Sequence, residues 1–386
     1  MMPRNCRWRW PRWAGCRRCR IMRISWRPEP MLCCAAVRRC ICRTWRWRLK
    51  RGRVRGISLH NSSGHLGGAV GKSGMRFWTA LLGCVVAALN FMGCCSKQPG
   101  VTGDIPVIDT HIHLYDTTRA GGVPWPPVDD QVLYRPVLPE HFDKVTRANG
   151  VTATVIVEAS DRVPDNQWIL DLVAHNPSHY VGVVGNLPVG TDAFAAELNR
   201  LAEDSRYVGI RLRSFPEGVE GFTDAVWRDL KQLSDKGLTL DVLMANFTLA
   251  DVRQIAERLP NLKILVNHLT GLTITGEPAK ADWVAEVKAT AAHANVSCKV
   301  SGIFQRSGRM PAPKKEAYYA PIFEVVYEAF GEDRVIYGSN WPVTDRGGEY
   351  HEQLAIIHDY FAPKGRAVLE KLFWKNAAAF YDVKLN

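Results

Sequence analysis

The chain has 386 residues, enough for one large domain or two ordinary ones, and its formal net charge of +12 at first suggests a nucleic-acid or membrane partner. The charge is unevenly spread, however. The first 74 residues hold 19 Lys and Arg against one acidic residue, Glu29, whereas the remaining 312 residues hold 31 basic and 37 acidic residues. The part of the chain that can fold is mildly acidic, and we predict no nucleic-acid partner for it.

Cysteine follows the same division of the chain. Seven of the eleven cysteines lie before residue 50, and after residue 95 only Cys298 remains. No disulfide framework is therefore available to the body of the protein, and its stability must come from a large apolar core.

The opening stretch interleaves Arg and Trp without a sustained helix or strand period, as in residues 7–10 and 43–48. Such a stretch can bind nucleic acid or anionic lipid through charge and aromatic stacking or insertion. It is also what GC-rich DNA encodes upstream of a true start, and we favour this second interpretation for residues 1–74, which we expect to be disordered. Cys16 and Cys19 have the C-x-x-C spacing of zinc sites, but no ordered second pair supports them.

The next segment has the layout of a secretory signal peptide. Met75 and Arg76 give a short positive start, and the apolar run that follows, residues 77–91, is shorter than the roughly 20 residues that a membrane-spanning helix needs. The sequence around Cys94 resembles a lipoprotein cleavage site, although Phe91 and the residue after it depart from the usual motif.

We predict that residues 75–95 are a signal peptide, that the protein is exported to the cell envelope, and that a lipid attached to Cys94 anchors it to a bacterial membrane. An ordinary signal peptide and an uncleaved anchor remain alternatives. Residues 96–104 would be a linker.

From residue 105 onward, short β-branched runs alternate with longer amphipathic segments, which is the pattern of βα units around a parallel sheet. Parallel strands that are buried on both faces should be nearly continuously apolar, and residues 155–157 (VIV) and 264–266 (ILV) are. The eight predicted strands are residues 107–111, 152–158, 180–186, 207–211, 238–243, 263–268, 295–300 and 334–338. The helix candidates include residues 193–203, 223–236, 249–258, 281–294, 315–330, 349–361 and 367–381.

Eight βα repeats in about 280 residues are typical of one α/β domain, a (β/α)8 or TIM barrel, which we predict over residues 105–386. The runner-up is an open doubly wound sheet. That fold typically carries a G-x-G-x-x-G turn after an early strand, and the sequence has none there.

Polar residues gather where the predicted strands end, the position at which such barrels carry their chemistry. His111 and His113 are two residues apart on an extended strand, so both imidazoles point to the same side and can offer nitrogens to one metal ion. The alternatives are a pair of surface histidines and, for His268 at the end of an apolar run, a hydrogen-bonded core histidine. The strand-end residues are Asp109, His111, His113, Glu158, Asn186, Arg211, Arg213, Asp241, His268, Lys299, Ser301, Ser339 and Asn340.

Five motifs carry a resemblance to a known family, and a sixth segment, residues 373–381, agrees with it. The motifs are residues 107–114 (VIDTHIHL), 209–211 (GIR), 266–271 (VNHLTG), 297–302 (SCKVSG) and 335–343 (VIYGSNWPV). In this order they resemble the amidohydrolase superfamily, and more narrowly its amidohydrolase-related branch, which contains L-fuconolactonase, L-rhamnonolactonase and 2-pyrone-4,6-dicarboxylate lactonase. The resemblance covers roughly residues 105–383.

The resemblance implies a hydrolase that opens a sugar lactone or a similar, carboxylated cyclic ester. It implies one divalent cation, such as Zn²⁺, held by His111, His113 and His268, which would polarise the carbonyl or acidify a water molecule. Some members of this branch work without metal, so a site without a cofactor remains open.

Arg211 and Arg213 are candidates to hold a carboxylate or lactone oxygen through forked hydrogen bonds, with an ion pair to Glu158 or Asp241 as the alternative for one of them. Ser301 and Trp341 are further candidates for substrate contact. Trp341 could form a sugar-stacking pocket with other aromatic residues or could simply pack against the barrel. The remaining aromatic candidates are Trp125, Tyr134 and Trp168.

Two departures from the family pattern affect the predicted chemistry. Arg211 and Asp241 stand near the positions of the bridging residue and the strand-five histidine of binuclear members, so a binuclear site is not expected. Asn340 stands where the superfamily has an aspartate that binds metal and acts as general base, and an amide cannot accept a proton near neutral pH.

The base would then be another carboxylate, with Glu158, Asp241 and Asp345 as candidates, or a metal-activated water would need no base. Asn340 itself could still bind the metal through its oxygen and orient a water molecule. A decarboxylase of the same superfamily is one alternative function. A non-catalytic protein that binds a carbohydrate acid is another, and Asn340 is the residue that favours it.

Overall fold

The computed structural model describes residues 100–213, 215, 217–245 and 247–385. The predictions made for residues 1–74, for the signal peptide and for Cys94 lie outside the described residues, as do residues 96–99 of the linker, and they stay predictions. Within the described part of the chain, no helix is both long enough and apolar enough to cross a membrane.

Eight parallel strands follow one another around a single sheet in chain order. At the seam, Ile112 forms a parallel bridge with Trp341, and the backbone N–H of Asn340 donates to the His111 carbonyl at 2.7 Å. The first and last strands therefore meet and close the barrel. The predicted (β/α)8 barrel is confirmed. The strands are β1 (Val107–Ile112), β2 (Val151–Val157), β3 (Tyr180–Gly185), β4 (Tyr207–Leu212), β5 (Thr239–Val242), β6 (Ile264–Val266), β7 (Val296–Val300) and β8 (Val335–Tyr337).

Helices alternate with these strands and cover the barrel. Two predicted single helices are broken: residues 315–330 begin with a separate 3₁₀ turn, and residues 367–381 contain a π-helical turn, Lys371–Lys375. The α-helices are α1 (Pro139–Asn149), α2 (Pro164–Leu172), α3 (Phe194–Leu201), α4 (Asp224–Asp235), α5 (Leu249–Arg258), α6 (Ala281–Ala291), α7 (Ile303–Arg306), α8 (Ala320–Phe330), α9 (Tyr350–Phe361), α10 (Arg366–Glu370) and α11 (Asn376–Tyr381). The 3₁₀ turns are Gly218–Gly221, Leu269–Gly271, Glu316–Tyr318, Val343–Arg346 and Ala362–Lys364.

Helix α4 illustrates how the sequence sets these elements. The Thr223 hydroxyl caps its first turn by accepting from the Val226 amide at 3.4 Å. Val226, Leu230 and Leu233 recur at helical spacing and are buried, so one apolar face of the helix packs against the barrel.

Helix α11 closes the end of the barrel at which the strands begin. Asn376 donates to the Val335 carbonyl at 2.8 Å, and Lys263 donates to the Phe380 carbonyl at 2.6 Å, which ties the helix to the starts of β8 and β6. Tyr381 extends from this helix to Asp241 of β5, with 2.9 Å between its hydroxyl and a carboxylate oxygen. Because this end is filled, the opposite end is the one available for a site.

Gly209 of β4 is paired with Thr239 of β5. A Cβ at this position would lie 2.2 Å from Thr239 Oγ1 and 2.4 Å from the Thr239 carbonyl oxygen, and neither strand can move without disturbing the barrel. We expect Gly209→Ala to lower the free energy of unfolding by about 1–3 kcal/mol, the usual effect of overpacking, and thermal denaturation measures it. Gly221→Ala is the control, since its nearest contact would be an ordinary 3.4 Å; equal melting temperatures for the two variants would contradict the prediction.

Candidate functional site

The carboxyl ends of the strands surround a cavity of about 220 Å³. Its wall contains three arginines and two histidines but no Asp or Glu, so it is suited to a ligand that offers carbonyl or carboxylate oxygens. The lining residues are His113, Trp125, Arg211, Arg213, Leu243, His268, Gln305, Asn340, Val343 and Arg346.

Strand β1 brings His111 and His113 to this end of the barrel. His113 donates from Nδ1 to the Val157 carbonyl at 2.9 Å, which leaves Nε2 with its lone pair. His111 is fully buried, and its Nε2 has no hydrogen-bond partner. The imidazole ring of His111 lies 5.0 Å from that of His113 and 4.4 Å from that of His268, measured between centroids, so the structure brings the three predicted histidines together.

His268 and Asn340 follow β6 and β8 and share an uncommon backbone conformation. Their φ angles are 54° and 62°, in the left-handed region that residues other than glycine seldom adopt. Such conformations cluster at functional sites, where the surrounding structure holds them in place. His268 Nδ1 lies 2.8 Å from the Ser301 hydroxyl, so Nε2 is the nitrogen left for a ligand.

Asn340 lies between His113 and Gln305. Its Oδ1 is 3.2 Å from His113 Nε2, and its Nδ2 donates to Gln305 Oε1. Because His113 Nε2 and Asn340 Oδ1 are both acceptors in this arrangement, no hydrogen bond joins them, and a positively charged group would stabilise the pair.

Burial sets the protonation of the three histidines. It lowers the pKa of His113 to about 3 and lowers the pKa values of His111 and His268 well below their usual range, with nearby cations adding to the effect. All three imidazoles are therefore neutral at pH 7, the form in which a histidine binds metal.

The histidines alone do not form a metal site. In the described part of the chain, no group of three or more His, Cys, Asp or Glu side chains is arranged to hold a metal ion. Asn340 adds an amide oxygen to the donors, and its 3.2 Å separation from His113 Nε2 is close to the roughly 3.3 Å expected between two donors on one tetrahedral cation. Together with the orphaned Nε2 of His111, this donor set fits a single divalent cation.

Glu158, at the end of β2, organises the two arginines instead of standing free as a base. Its Oε1 lies 2.7 Å from Arg211 Nε and 2.8 Å from Arg213 Nε, and its carbonyl accepts from Arg211 Nη2 at 2.7 Å. Burial raises the pKa of Glu158, and both guanidinium groups oppose that shift. The ion-pair alternative therefore describes both arginines, although both also line the cavity.

Both oxygens of Asp241 are bonded, below the cavity, whereas Glu158 Oε2 has no hydrogen-bond partner. One oxygen accepts from the Tyr381 hydroxyl at 2.9 Å, and the other lies 2.8 Å from Lys299 Nζ. Lys299 also donates to the Thr110 carbonyl at 2.9 Å, and its Nζ lies 3.5 Å from His111 Nδ1. The side chains of Asp241 and Lys299 are fully buried and do not line the cavity. We call this buried pair, with Tyr381 and Thr110, the floor of the site.

The other predicted residues lie around the cavity without lining it. Ser301 is fully buried and supports His268. Trp341 packs its ring on Phe142, 5.1 Å between centroids, and reaches the site only through its carbonyl, which accepts from the His113 amide at 2.9 Å. Asp345 is 3.0 Å from Arg135 and lines a separate groove.

The segment between β1 and α1 contributes Trp125 to the cavity. Its indole ring lies 5.4 Å from the His113 ring in an edge-to-face arrangement and lines the cavity. Ion pairs of Asp130 with Arg346 and of Arg135 with Asp345 join this segment to the turn that follows β8.

Gln305 and Arg346 are lining residues that the sequence did not single out. Gln305 lies on a four-residue helix, α7, and no periodicity or strand end marks it. Arg346 lies in the 3₁₀ turn after the β8 motif, and only its position a few residues beyond Asn340 could have suggested it.

Residues 108–383 match the family model described as Amidohydrolase, and the chain belongs to this family. It is 28% identical over 290 residues to an L-fucono-1,5-lactonase of Burkholderia ambifaria, covering 72% of this chain and 95% of the relative. It is 26% identical over 289 residues to an L-fucono-1,5-lactonase of Burkholderia multivorans, covering 70% and 94%. A solved amidohydrolase of Burkholderia multivorans with bound zinc superposes with a TM-score of 0.63 at 22% identity, covering 72% of this chain and 99% of that one, which shows the shared fold.

Proposed function

We propose that this chain is a lactone hydrolase that opens a sugar lactone or a similar cyclic ester. The observation that supports it most is one cavity whose wall contains buried neutral histidines, the Asn340 amide and the guanidinium groups of Arg211 and Arg213. The two Burkholderia lactonases, matched over nearly their full length, support the same reaction class.

Arg211 and Arg213 would bind the substrate. Glu158 Oε1 accepts a hydrogen bond from Arg211 Nε and lies within ion-pair distance of Arg213 Nε, which makes no hydrogen bond. The remaining guanidinium N–H groups are the donors that a lactone carbonyl or a substituent carboxylate requires, and charge-assisted bonds of this kind give about 1.5–3 kcal/mol each. Trp125 would cover the bound ring and exclude bulk water from it.

His113, His268 and Asn340, with His111 beneath them, would hold one divalent cation, and we propose zinc by analogy with the zinc-containing relative. When bound, such a cation polarises a carbonyl and lowers the pKa of a coordinated water to about 7. Asn340 cannot take a proton but can orient a water through its amide. Glu158 and Asp241 keep their ion pairs, so we assign neither of them the role of general base.

The test is a panel of neutral aldonolactones and carboxylated lactones, offered to the purified protein with added Zn²⁺ or Mn²⁺ and followed by acid release. We expect turnover of at least one class and, for Arg213→Gln, a KM higher by about 10–100-fold, the loss of one charge-assisted contact. Arg200→Gln is the matched control, because Arg200 pairs with Glu197 on helix α3, away from the cavity.

Tight binding of a carbohydrate acid without any turnover would overturn the hydrolase in favour of a binding protein. Release of CO₂ from an aromatic carboxylic acid would point to the decarboxylase instead. An unchanged KM in Arg213→Gln would remove the arginine pair from substrate binding while leaving the reaction class standing.

A further inference from the structure

We propose that Gln305 is a positioning residue that determines which end of the Asn340 amide faces the cavity. The inference rests on the proposed cation site and goes beyond it, because it concerns how an amide at this position can serve as an oxygen donor. An Asn side chain has an oxygen end that binds cations and an NH₂ end that cannot, and its partners decide between the two.

If His113 were its only partner, the Asn340 side-chain amide would take the orientation that does not bind a cation. The Val157 carbonyl can only accept, so His113 carries its hydrogen on Nδ1 and presents a lone pair on Nε2. A lone pair on His113 Nε2 that accepts no hydrogen bond, 3.2 Å from Asn340, attracts the NH₂ end of the amide, which would then face the cavity and repel a cation. Another partner is needed to keep the oxygen in that place.

Gln305 is that partner. Its Oε1 accepts the hydrogen bond from Asn340 Nδ2, which holds the NH₂ end away from His113 and leaves Oδ1 beside Nε2. With the amide fixed in this sense, two acceptors face each other, and a cation relieves the repulsion between them.

The chain keeps this contact in place through Gly302. Its φ is 61°, and a Cβ there would lie 2.9 Å from His268 Nδ1, 3.3 Å from Asn340 Nδ2 and 3.3 Å from Gln305 Oε1. The space that this glycine leaves lets the three side chains meet. Helix α7 follows at once, and its last residue, Arg306, donates from its amide to the Gly302 carbonyl at 2.9 Å and from its side chain to the Gly271 carbonyl at 2.6 Å.

The experiment is a double-mutant cycle between Gln305→Met and Asn340→Asp, with the affinity for Zn²⁺ alone measured by chelator competition. Methionine keeps the length of the side chain and removes the acceptor. We expect Gln305→Met to weaken zinc binding by about 10–100-fold in the natural background, as removal of a group that orients a ligand usually does. A carboxylate has an oxygen at both ends, so in the Asn340→Asp background the same change should cost less than about threefold.

Gln254→Met, at an exposed position of helix α5, is the control for replacing a glutamine, and thermal denaturation reports whether each variant folds. If the natural protein binds zinc and Gln305→Met binds it equally well, the inference is overturned while the site stands. An equal loss in both backgrounds also overturns it, because Gln305 would then act only on packing. If neither the natural protein nor Asn340→Asp binds zinc, the proposed cation site itself fails.

Discussion

His113→Ala will weaken cation binding and lactone turnover together. The orientation of His113 in the cavity is fixed, since the Val157 carbonyl holds Nδ1 and thereby aims Nε2 at Asn340. Losing a group that merely orients a ligand weakens metal affinity by 10–100-fold, so losing a ligand should weaken zinc affinity by at least about 100-fold and lower kcat/KM by no less. Elemental analysis after purification and a lactone assay measure the two effects.

A matched control separates this effect from a general loss of histidine. His175 is exposed, and its Nδ1 bonds to the Leu172 carbonyl, so His175→Ala should keep both metal content and activity. Full activity of the natural protein with far less than one metal ion per chain, after treatment with a chelator, would contradict the role that we give His113.

The fold was predictable because short β-branched runs, some of them continuously apolar, alternate with longer segments that mostly repeat their apolar residues at helical spacing. His111 and His113 could be recognised for a related reason, since two residues of separation on a strand place both side chains on one side. Both predictions need only local sequence, which fixes the period of an element but not what its side chains meet.

For that reason, the hydrogen-bond and ion-pair partners of the polar residues could not be predicted from the sequence. Glu158 and Asp241 were predicted as bases, but each meets a cation more than 50 residues along the chain, Arg211 and Lys299 respectively. Trp341 follows Asn340 directly, and neighbouring residues at a strand end point to different sides, so its ring packs outside while Asn340 faces the cavity.

Lys299→Met tests the floor of the site and should be the most destabilising change. Lys299 and Asp241 are both fully buried, 2.8 Å apart, and Tyr381 and Thr110 supply the remaining hydrogen bonds. Removing the lysine leaves a carboxylate without its counter-ion in the barrel interior, and breaking a buried pair in this way costs about 3–5 kcal/mol. Urea denaturation measures the loss.

Two comparisons show whether the unpaired Asp241 charge causes the loss of stability in Lys299→Met. The double variant Lys299→Met with Asp241→Leu removes both charges and should recover a large part of the loss, because an apolar pair of similar volume often replaces a buried ion pair without penalty. Lys231→Met breaks a pair with Asp235 in which both side chains are more than half exposed, and it should cost less than about 1 kcal/mol. If Lys299→Met proves as mild as Lys231→Met, the carboxylate must lose its charge or reach water, and Asp241 would again be a candidate base at the floor of the cavity.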